Sequence, residues 1–292
     1  MKKLFLAVLA CGLTTAAAWA QTPQRPPFET TKVDGTDNVY VFRYGNRQAM
    51  FIATRAGVIA TDPIGYGFPQ TVPTYIDEIR KVSDKPIKYL IYSHHHYDHI
   101  SGGKPFKDAG ARIVAHKRAK ERLAALKDPE TPLPDEVVDK KRVIQLGGTT
   151  LELSYIGLNH SDSTLVMRLP KEKILFLVDL VPVGSVPGRG MIDFYPLEAE
   201  ASIKRVMAMD WERMIPGHPG PGGRLGTKAD VQNLLVFLQD ASDAVKAAAR
   251  EGKCWEPAEK ELKLPKYESW PNYANNLPFV LRRYCALWGR GT

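Results

Sequence analysis

Apolar side chains fall in short runs between turn residues over the first third of the chain. Runs that predict strands lie at residues 39–43, 49–53 and 58–61. Residues 69–82 carry apolar side chains at helical spacing and predict a helix. The nearly all-apolar stretch at 87–92 predicts a further strand, which we expect to be buried on both faces.

The alternation of strand and helix patterns continues to about residue 250. Further strands are predicted at residues 112–115, 143–146, 151–156, 164–168, 174–178 and 213–215. Helices are predicted at 116–126, 197–209 and 228–250, a linker at 21–28, a loop at 127–139 and an irregular tail after 250. Many strands with interspersed helices indicate an α/β sandwich. We expect a single domain over 21–292, in which about 228–292 forms a C-terminal helix and tail.

Residues 1–20 have the pattern of a secretory signal peptide. A basic start precedes an apolar run, and Ala18-Trp19-Ala20 matches a small-x-small cleavage site. The apolar run is shorter than the ~20 residues that a membrane-spanning helix needs, so we expect cleavage after Ala20 and no membrane insertion afterwards. Lipoprotein processing at Cys11 is the alternative. The pattern predicts a periplasmic or secreted protein.

Charge and cysteine content add expectations about the partners and the disulfide of the mature chain. Without residues 1–20, which contain two of the 40 basic side chains, 38 basic side chains face 32 acidic ones, a formal charge of +6. These charges are scattered and give no indication of nucleic-acid binding, so we expect no nucleic-acid partner. We expect a small-molecule substrate, and the sequence does not set the oligomeric state. Cys254 and Cys285 stay in the mature chain. An even pair in an exported protein suggests one disulfide, and two unpaired buried thiols are the alternative.

Four of the seven histidines fall within one short segment, directly after the apolar strand at 87–92. Clustered imidazoles repel one another when protonated, whereas Zn²⁺ and similar ions bind neutral imidazole and carboxylate groups. Side chains at i and i+2 of an extended loop point the same way. His94 and His96 can therefore bind one ion, while His95 points elsewhere and is not a ligand. After a bend, the two side chains Asp98 and His99 can face a second ion.

Two ions need more ligands than this segment supplies. Candidates lie at the ends of later strands: His160, Asp179 and His218. Active sites of layered α/β folds collect at such positions. We therefore expect these three side chains to complete the site, although an Asp that closes a strand more often forms a turn.

The chain resembles the metallo-β-lactamase fold superfamily of hydrolases over nearly its whole mature length. The resemblance rests on the motif His94-x-His96-x-Asp98-His99 and on His160, Asp179 and His218, in that order and context. It implies an αββα sandwich of two mixed β-sheets with helices on the outer faces. It also implies two divalent metal ions, with Zn²⁺ favoured. The first would be bound by His94, His96 and His160, the second by Asp98, His99 and His218, with Asp179 bridging them.

A site of this kind accounts for hydrolysis without a serine or cysteine nucleophile, because metal binding lowers the pKa of water to about 7. By resemblance, Asp98 is the catalytic residue that orients this water or takes its proton. An Asp at 179 resembles the lactonase, glyoxalase II, sulfatase and phosphodiesterase branches. The best-known lactamase subclass has a cysteine there and a lysine three residues later, whereas this chain has Asp179 and Pro182.

We expect an exported metal-dependent hydrolase of an ester, lactone, thioester or lactam bond. The alternatives are a β-lactamase proper, an iron-dependent oxidoreductase of the persulfide dioxygenase type, and a metal-binding protein without turnover. Asp62 matches a family residue that supports the ligands, or is a turn residue. Tyr97, Tyr195 and a loop at 183–190 are expected near the pocket, and Arg189 of that loop either holds an anionic group or is solvated. We expect His116 to be structural.

Overall fold

A computed structural model describes residues 27–290 of the protein. The predicted signal peptide and the lipoprotein alternative at Cys11 lie outside these residues. Between residues 27 and 290 the chain forms twelve strands and eight α-helices, joined by turns and short 3-10 helices. Among the described helices, none is both long enough and apolar enough to cross a membrane.

The first half of the chain builds a seven-stranded sheet. Its strands, in spatial order, are β1 (Phe28–Lys32), β2 (Val39–Tyr44), β3 (Arg47–Thr54), β4 (Gly57–Thr61), β5 (Ile87–Ile91), β6 (Arg112–His116) and β7 (Glu136–Val138). Strands β1 to β4 pair antiparallel and β4 to β7 pair parallel. Parallel neighbours need crossover connections. These contain the helices α1 (Thr71–Val82), α2 (Tyr97–Ile100), α3 (Lys104–Asp108) and α4 (Lys117–Leu126).

The second half builds a five-stranded sheet. Its strands are β8 (Lys141–Leu146), β9 (Thr149–Tyr155), β10 (Leu165–Leu169), β11 (Ile174–Leu177) and β12 (Arg213–Pro216), in the spatial order β12-β11-β10-β9-β8. Only the β11–β12 pair of this sheet is parallel. The remaining helices are α5 (Pro196–Ala208), α6 (Lys228–Arg250), α7 (Glu256–Glu261) and α8 (Tyr273–Trp288).

Three layers of buried apolar side chains confirm the predicted αββα sandwich. Between the sheets lie inward-facing residues of both, among them Ile52 and Phe176, which have no exposed surface. Tyr75 of α1 belongs to the layer between the first sheet and its helices. Phe237 of α6 and Leu281 of α8 belong to the layer on the outside of the second sheet. Each sheet is therefore covered on both faces, which fixes the positions of its strand ends.

The C-terminal segment contradicts the prediction of an irregular tail after residue 250. It contains α7 and α8, and α8 buries Leu277, Val280, Leu281 and Tyr284. These positions have the i, i+3, i+4, i+7 spacing of an amphipathic helix. Pro278 lies inside α8 and obscures the pattern, since proline usually interrupts a helix.

Three smaller predictions are wrong in detail. The loop predicted at 127–139 contains β7, whose three residues are too few to show a period in the sequence. The linker predicted at 21–28 overlaps the start of β1. Strand β5 is fully buried only at its end, because Lys88 is exposed while Leu90 and Ile91 are buried.

The disulfide predicted between Cys254 and Cys285 is not formed. Both side chains are buried free cysteines, which was the alternative interpretation. Burial and a hydrogen bond with Cys254 raise the pKa of the Cys285 thiol to about 12. This thiol is therefore protonated at neutral pH, and a protonated thiol is a poor nucleophile.

Helix α6 begins with a capping box. The Thr227 hydroxyl accepts a hydrogen bond from the Asp230 amide, and the Asp230 carboxylate accepts one from the Thr227 amide at 2.8 Å. Arg224 donates two further bonds to the same carboxylate, at 2.6 and 2.9 Å. Burial alone would raise the pKa of Asp230, but these donors hold it below its ordinary value. The cap thus fixes the start of the helix that covers the second sheet.

Replacing Thr227→Ala should lower the free energy of unfolding by about 1 kcal/mol, because α6 loses the side-chain acceptor of its cap. Urea denaturation followed by circular dichroism measures the change. Asp243→Ala, at an exposed position of the same helix, is the control and should change stability by less than about 0.5 kcal/mol. Equal losses in the two variants would contradict the role of the cap.

Candidate metal centre

All seven predicted ligands lie at one edge of the sandwich, where strand ends of both sheets meet. The first sheet contributes side chains from the loop after β5 and from α2, and the second sheet contributes them from the segments after β9, β11 and β12. In chain order they are His94, His96, Asp98, His99, His160, Asp179 and His218. The structure brings these residues together; that they bind metal stays a prediction.

The side chains form two groups that share one carboxylate. The first group is His94, His96, His160 and Asp179, and the second is Asp98, His99, His218 and Asp179. Within each group the potential ligand atoms lie within 4.8 Å of one another. Asp179 Oδ2 lies 3.5 Å from His160 Nε2 and 3.1 Å from His99 Nε2. Asp179 therefore belongs to both groups, as the bridging role predicted for it requires.

Hydrogen bonds outside the cluster orient its imidazoles. Ser93 Oγ lies 2.9 Å from His94 Nδ1, so that His94 Nε2 faces Asp179 at 3.8 Å. The Asp193 carboxylate accepts a hydrogen bond from His96 Nε2 at 3.0 Å, which leaves His96 Nδ1 directed into the cluster. Bonds of this kind fix the tautomer and the ring orientation of metal-binding histidines.

The hairpin between β2 and β3 holds the last ligand from the opposite sheet. His218 Nδ1 donates to the carbonyl oxygen of Asn46 at 2.6 Å. Gln48 reinforces this contact, since its side-chain amide donates to the Pro216 carbonyl at 2.9 Å and its backbone amide donates to the Gly217 carbonyl at 2.7 Å. The first sheet thus positions a ligand that belongs to the second.

The donor atoms fit a divalent metal. His94 Nε2 and Asp179 Oδ1 are buried and have no hydrogen-bond partner among the described residues. Such atoms are rare because each costs about 1–3 kcal/mol, and a cation would satisfy both. Burial lowers the pKa of His94 well below its ordinary value and that of His160 to about 4, so both are neutral, as metal binding requires. The cluster is compatible with divalent metal ions.

Asp179 is the less exposed of the two carboxylates in the cluster, with a side chain that is 10% exposed against 34% for Asp98. Burial by itself would raise the pKa of Asp179, but the imidazoles of His99 and His218 hold it well below its ordinary value. Burial would likewise lower the pKa of His99, yet Asp179 raises it to about 9. A buried carboxylate requires a positive partner, which either a protonated His99 or a divalent cation provides.

Asp62 and Gly190 belong to neither ligand group, but they help to position the segments around the cluster. Asp62, which has no exposed surface, accepts the Ser93 amide through Oδ1 at 2.8 Å, so it anchors the histidine-rich loop as well as ending β4. Burial raises the pKa of Asp62 to about 6. A Cβ atom at Gly190 would lie 2.2 Å from His160 Cε1, so only glycine allows this chain segment to pass so close to the ring.

A cavity of about 1090 Å³ opens beside the cluster and is lined by ligands of both groups. One wall contains Tyr66 and Tyr97, and another is formed by residues 181–193, here called the pocket loop. Arg189 lines the cavity with an exposed side chain, whereas Tyr195 is not among its described lining residues. The volume is large for a small-molecule site.

His95 lies outside both groups, as the sequence predicts. Its Nδ1 lies 2.8 Å from Ser163 Oγ and its Nε2 lies 3.5 Å from Asp193 Oδ2. His95, His96 and Asp193 form a further set with ligand atoms close together. His96 would have to use the nitrogen that Asp193 already binds, so we assign no ion to this set.

His116 lies apart from the centre and is structural, as expected. Its Nδ1 accepts the Arg118 amide at the start of α4, and its ring stacks on Tyr155 with centroids 4.1 Å apart. Its Nε2 lies 3.2 Å from the Asp139 carbonyl oxygen. This pattern requires a neutral ring with the proton on Nε2.

Asp193 contacts the cluster without having been predicted from the sequence. It lies 97 residues from His96, and no motif marks it. The contact depends on how the pocket loop folds back over the cluster. The one available signal was an Asp within a glycine-rich segment that follows a predicted ligand.

The fold and the ligand cluster agree with a family assignment. The sequence model of the metallo-beta-lactamase superfamily matches residues 68–218, just over half of the chain, and this range contains all seven predicted ligands. The protein therefore belongs to the metallo-beta-lactamase superfamily.

Three individual relatives share between 22% and 30% of their aligned residues with this chain. The chain is 26% identical over 225 residues to the 2,4-dinitroanisole O-demethylase subunit alpha of Nocardioides sp. (strain JS1661), covering 76% of this chain and 67% of that protein. It is 30% identical over 185 residues to the metallo-beta-lactamase type 2 of Elizabethkingia meningoseptica, covering 60% and 70%. A solved metallo-beta-lactamase from Pontibacter korlensis has a TM-score of 0.62 at 22% identity, covering 73% of this chain and 99% of that one. This last likeness concerns the fold alone.

Replacing Asp179→Ala should lower the amount of zinc that each chain retains after dialysis, because both groups lose their shared ligand. Inductively coupled plasma mass spectrometry measures the retained metal, and circular dichroism checks that the variant is folded. Asp84→Ala, whose side chain is 85% exposed, is the control and should retain zinc as the unchanged protein does. Unchanged zinc content in Asp179→Ala would remove this residue from the site.

The cap formed by His116 should make stability depend on pH. Burial lowers the pKa of His116, so its contribution is complete above the unfolded value of about 6.5 and is lost as the pH falls below it. His116→Asn keeps a capping acceptor that does not titrate. Between about pH 7.5 and about pH 5.5 this variant should lose less unfolding free energy than the unchanged protein in urea denaturation. Equal losses would show that His116 does not contribute.

Proposed function

We propose that the protein is a metal-dependent hydrolase that uses two divalent ions, with Zn²⁺ favoured, to cleave an ester, lactone, thioester or lactam bond. The observation that carries the proposal is the Asp179 carboxylate, which two groups of imidazole and carboxylate ligands share at the base of a cavity. Membership of the metallo-beta-lactamase superfamily supports it.

The first ion would be held by His94, His96 and His160, the second by Asp98, His99 and His218, and Asp179 would lie between them. When bound, such a pair would lower the pKa of water to about 7 and would polarise the oxygen of the bond to be cleaved. Ser93 and Asp193 keep the imidazoles of the first group turned toward the cluster. Asp98 has a side chain that is 34% exposed and lines the cavity, so it can take the proton of the attacking water.

The cavity favours a substrate with an apolar or aromatic substituent. Tyr66 is 57% exposed and stacks on Tyr97 with centroids 6.4 Å apart, and Ile192 of the pocket loop is 77% exposed. Large apolar side chains exposed around a cavity are typical of a ligand-binding surface. The relative named as a 2,4-dinitroanisole O-demethylase acts, by that name, on an aromatic compound.

Hydrolysis of β-lactams is the second candidate. The 30% identity to a type 2 metallo-beta-lactamase supports it. Asp179 and Pro182 favour the first candidate, since they stand where the best-known lactamase subclass has a cysteine and a lysine. For either reaction we propose a small-molecule substrate and an exported location; the location rests on residues 1–20 alone.

The decisive experiment combines metal analysis with a substrate panel. Protein loaded with Zn²⁺ should hydrolyse at least one of p-nitrophenyl acetate, phenyl thioacetate, an aliphatic lactone and nitrocefin. Asp98→Asn should lower kcat by about a hundredfold, as expected for the loss of a general base, whereas Asp84→Asn at its exposed position should not. Zinc content measured in parallel separates loss of metal from loss of the base.

Two results would overturn the proposal. One is a zinc-loaded protein that hydrolyses none of the four compounds. The other is preferential retention of iron with oxygen uptake on glutathione persulfide, which would instead support the persulfide dioxygenase type.

A further inference from the structure

Helix α8 reaches the cavity from beyond the residues that the superfamily model matches. That match ends at residue 218, whereas α8 spans Tyr273–Trp288. Asn276 of α8, together with Pro271 and Asn272 just before it, lines the same cavity as the ligand cluster. Part of the pocket is therefore built by a segment outside the matched range.

The start of α8 holds the first half of the pocket loop through hydrogen bonds. The Val186 amide and the Ser185 hydroxyl both donate to the Pro271 carbonyl, at 3.2 and 3.1 Å. Asn276 Nδ2 donates to the Val186 carbonyl at 2.8 Å, and Asn272 Nδ2 donates to Ser185 Oγ at 3.0 Å. Both backbone polar groups of Val186 are thus satisfied by this segment.

The second half of the loop is held by the middle of α8. Arg283 donates from Nε to the Phe194 carbonyl, directly after the loop. Met191 and Phe194 are buried in the same apolar layer as Leu277 and Leu281 of the helix. The loop is therefore fixed at both ends to one face of α8.

Between these anchors the pocket loop touches two predicted ligands. Gly190 packs directly against the His160 ring, and Asp193 accepts the hydrogen bond from His96. The loop also forms the cavity wall that carries the exposed Ile192. The two histidines also contact each other, with His160 Nε2 3.0 Å from His96 Nδ1, so we expect a shift of the loop to change the shape of the cavity first.

We propose that Asn276 is a positioning residue, which holds the pocket loop as a wall of the substrate cavity through its bond to Val186. The inference rests on the proposed function, because it assigns the cavity to the substrate. Asn276 itself belongs to neither ligand group, so its effect on the reaction passes through the loop.

The test is Asn276→Ala in the full-length, zinc-loaded protein. Amide hydrogen exchange over residues 185–193 should become about fivefold faster, the factor that one net hydrogen bond is worth, while exchange in α5 is unchanged. On a hydrolysed probe from the panel KM should rise by a similar factor, with kcat changed less than about twofold. Zinc content should stay the same.

Two variants serve as comparisons. Asn275→Ala removes the same side chain from the neighbouring, exposed position and should change neither exchange nor KM. Asn276→Asp keeps the shape but replaces the donating amide by an acceptor, so it should behave like Asn276→Ala.

Unchanged exchange over 185–193 in Asn276→Ala, or unchanged exchange in Asn276→Asp, would overturn the inference. Faster exchange with an unchanged KM would overturn it as well, because the loop would then be no part of the substrate wall. If the protein hydrolyses none of the probes, the proposed function fails, and the exchange measurement still decides whether Asn276 positions the loop.

Discussion

The Asp179 carboxylate, whose side chain is only 10% exposed, is the constraint around which the rest of this molecule is arranged. A carboxylate that is largely removed from solvent needs a compensating positive charge close by. Here the compensation comes from imidazoles delivered by both sheets, and the nearest of them, His99 Nε2, lies 3.1 Å away. The apolar layers fix where the strands end, and the strand ends in turn bring those imidazoles within reach of one carboxylate.

The hydrogen bonds around the cluster orient the ring nitrogens of its histidines rather than burying more apolar surface. Ser93 and Asp193 each bind the ring nitrogen that faces away from the cluster, and the Asn46 carbonyl does the same for His218. A hydroxyl, a carboxylate and a backbone carbonyl, from three separate loops, thus each turn one imidazole toward the cluster. The packed interior makes the sandwich rigid, and these polar contacts set the orientation of the imidazoles.

The sequence predicts the layer order, and it predicts which side chains meet at one edge of the sandwich, because both depend on local pattern. His94 and His96 follow an apolar run, and Asp179 closes another, so strand ends and ligands are recognised together. Asp193 and Asn276 could not be found in this way, since their importance comes from contacts across 97 and 90 residues. Helix α8 was missed for a different reason: its apolar spacing is regular, but Pro278 argues against a helix.

The contact between Asn46 and His218 also has a consequence for the order of assembly. Its two residues are 172 positions apart, and they join the hairpin of the first sheet to the last strand of the second. Contacts so distant along the chain form late in folding, after much of the entropy of chain closure has been lost. A nascent chain that ends before residue 218 therefore holds six of the seven predicted ligands and lacks the contact that positions the seventh. If the predicted site binds metal, metal loading would coincide with the completion of folding and would distinguish a finished molecule from an unfinished one.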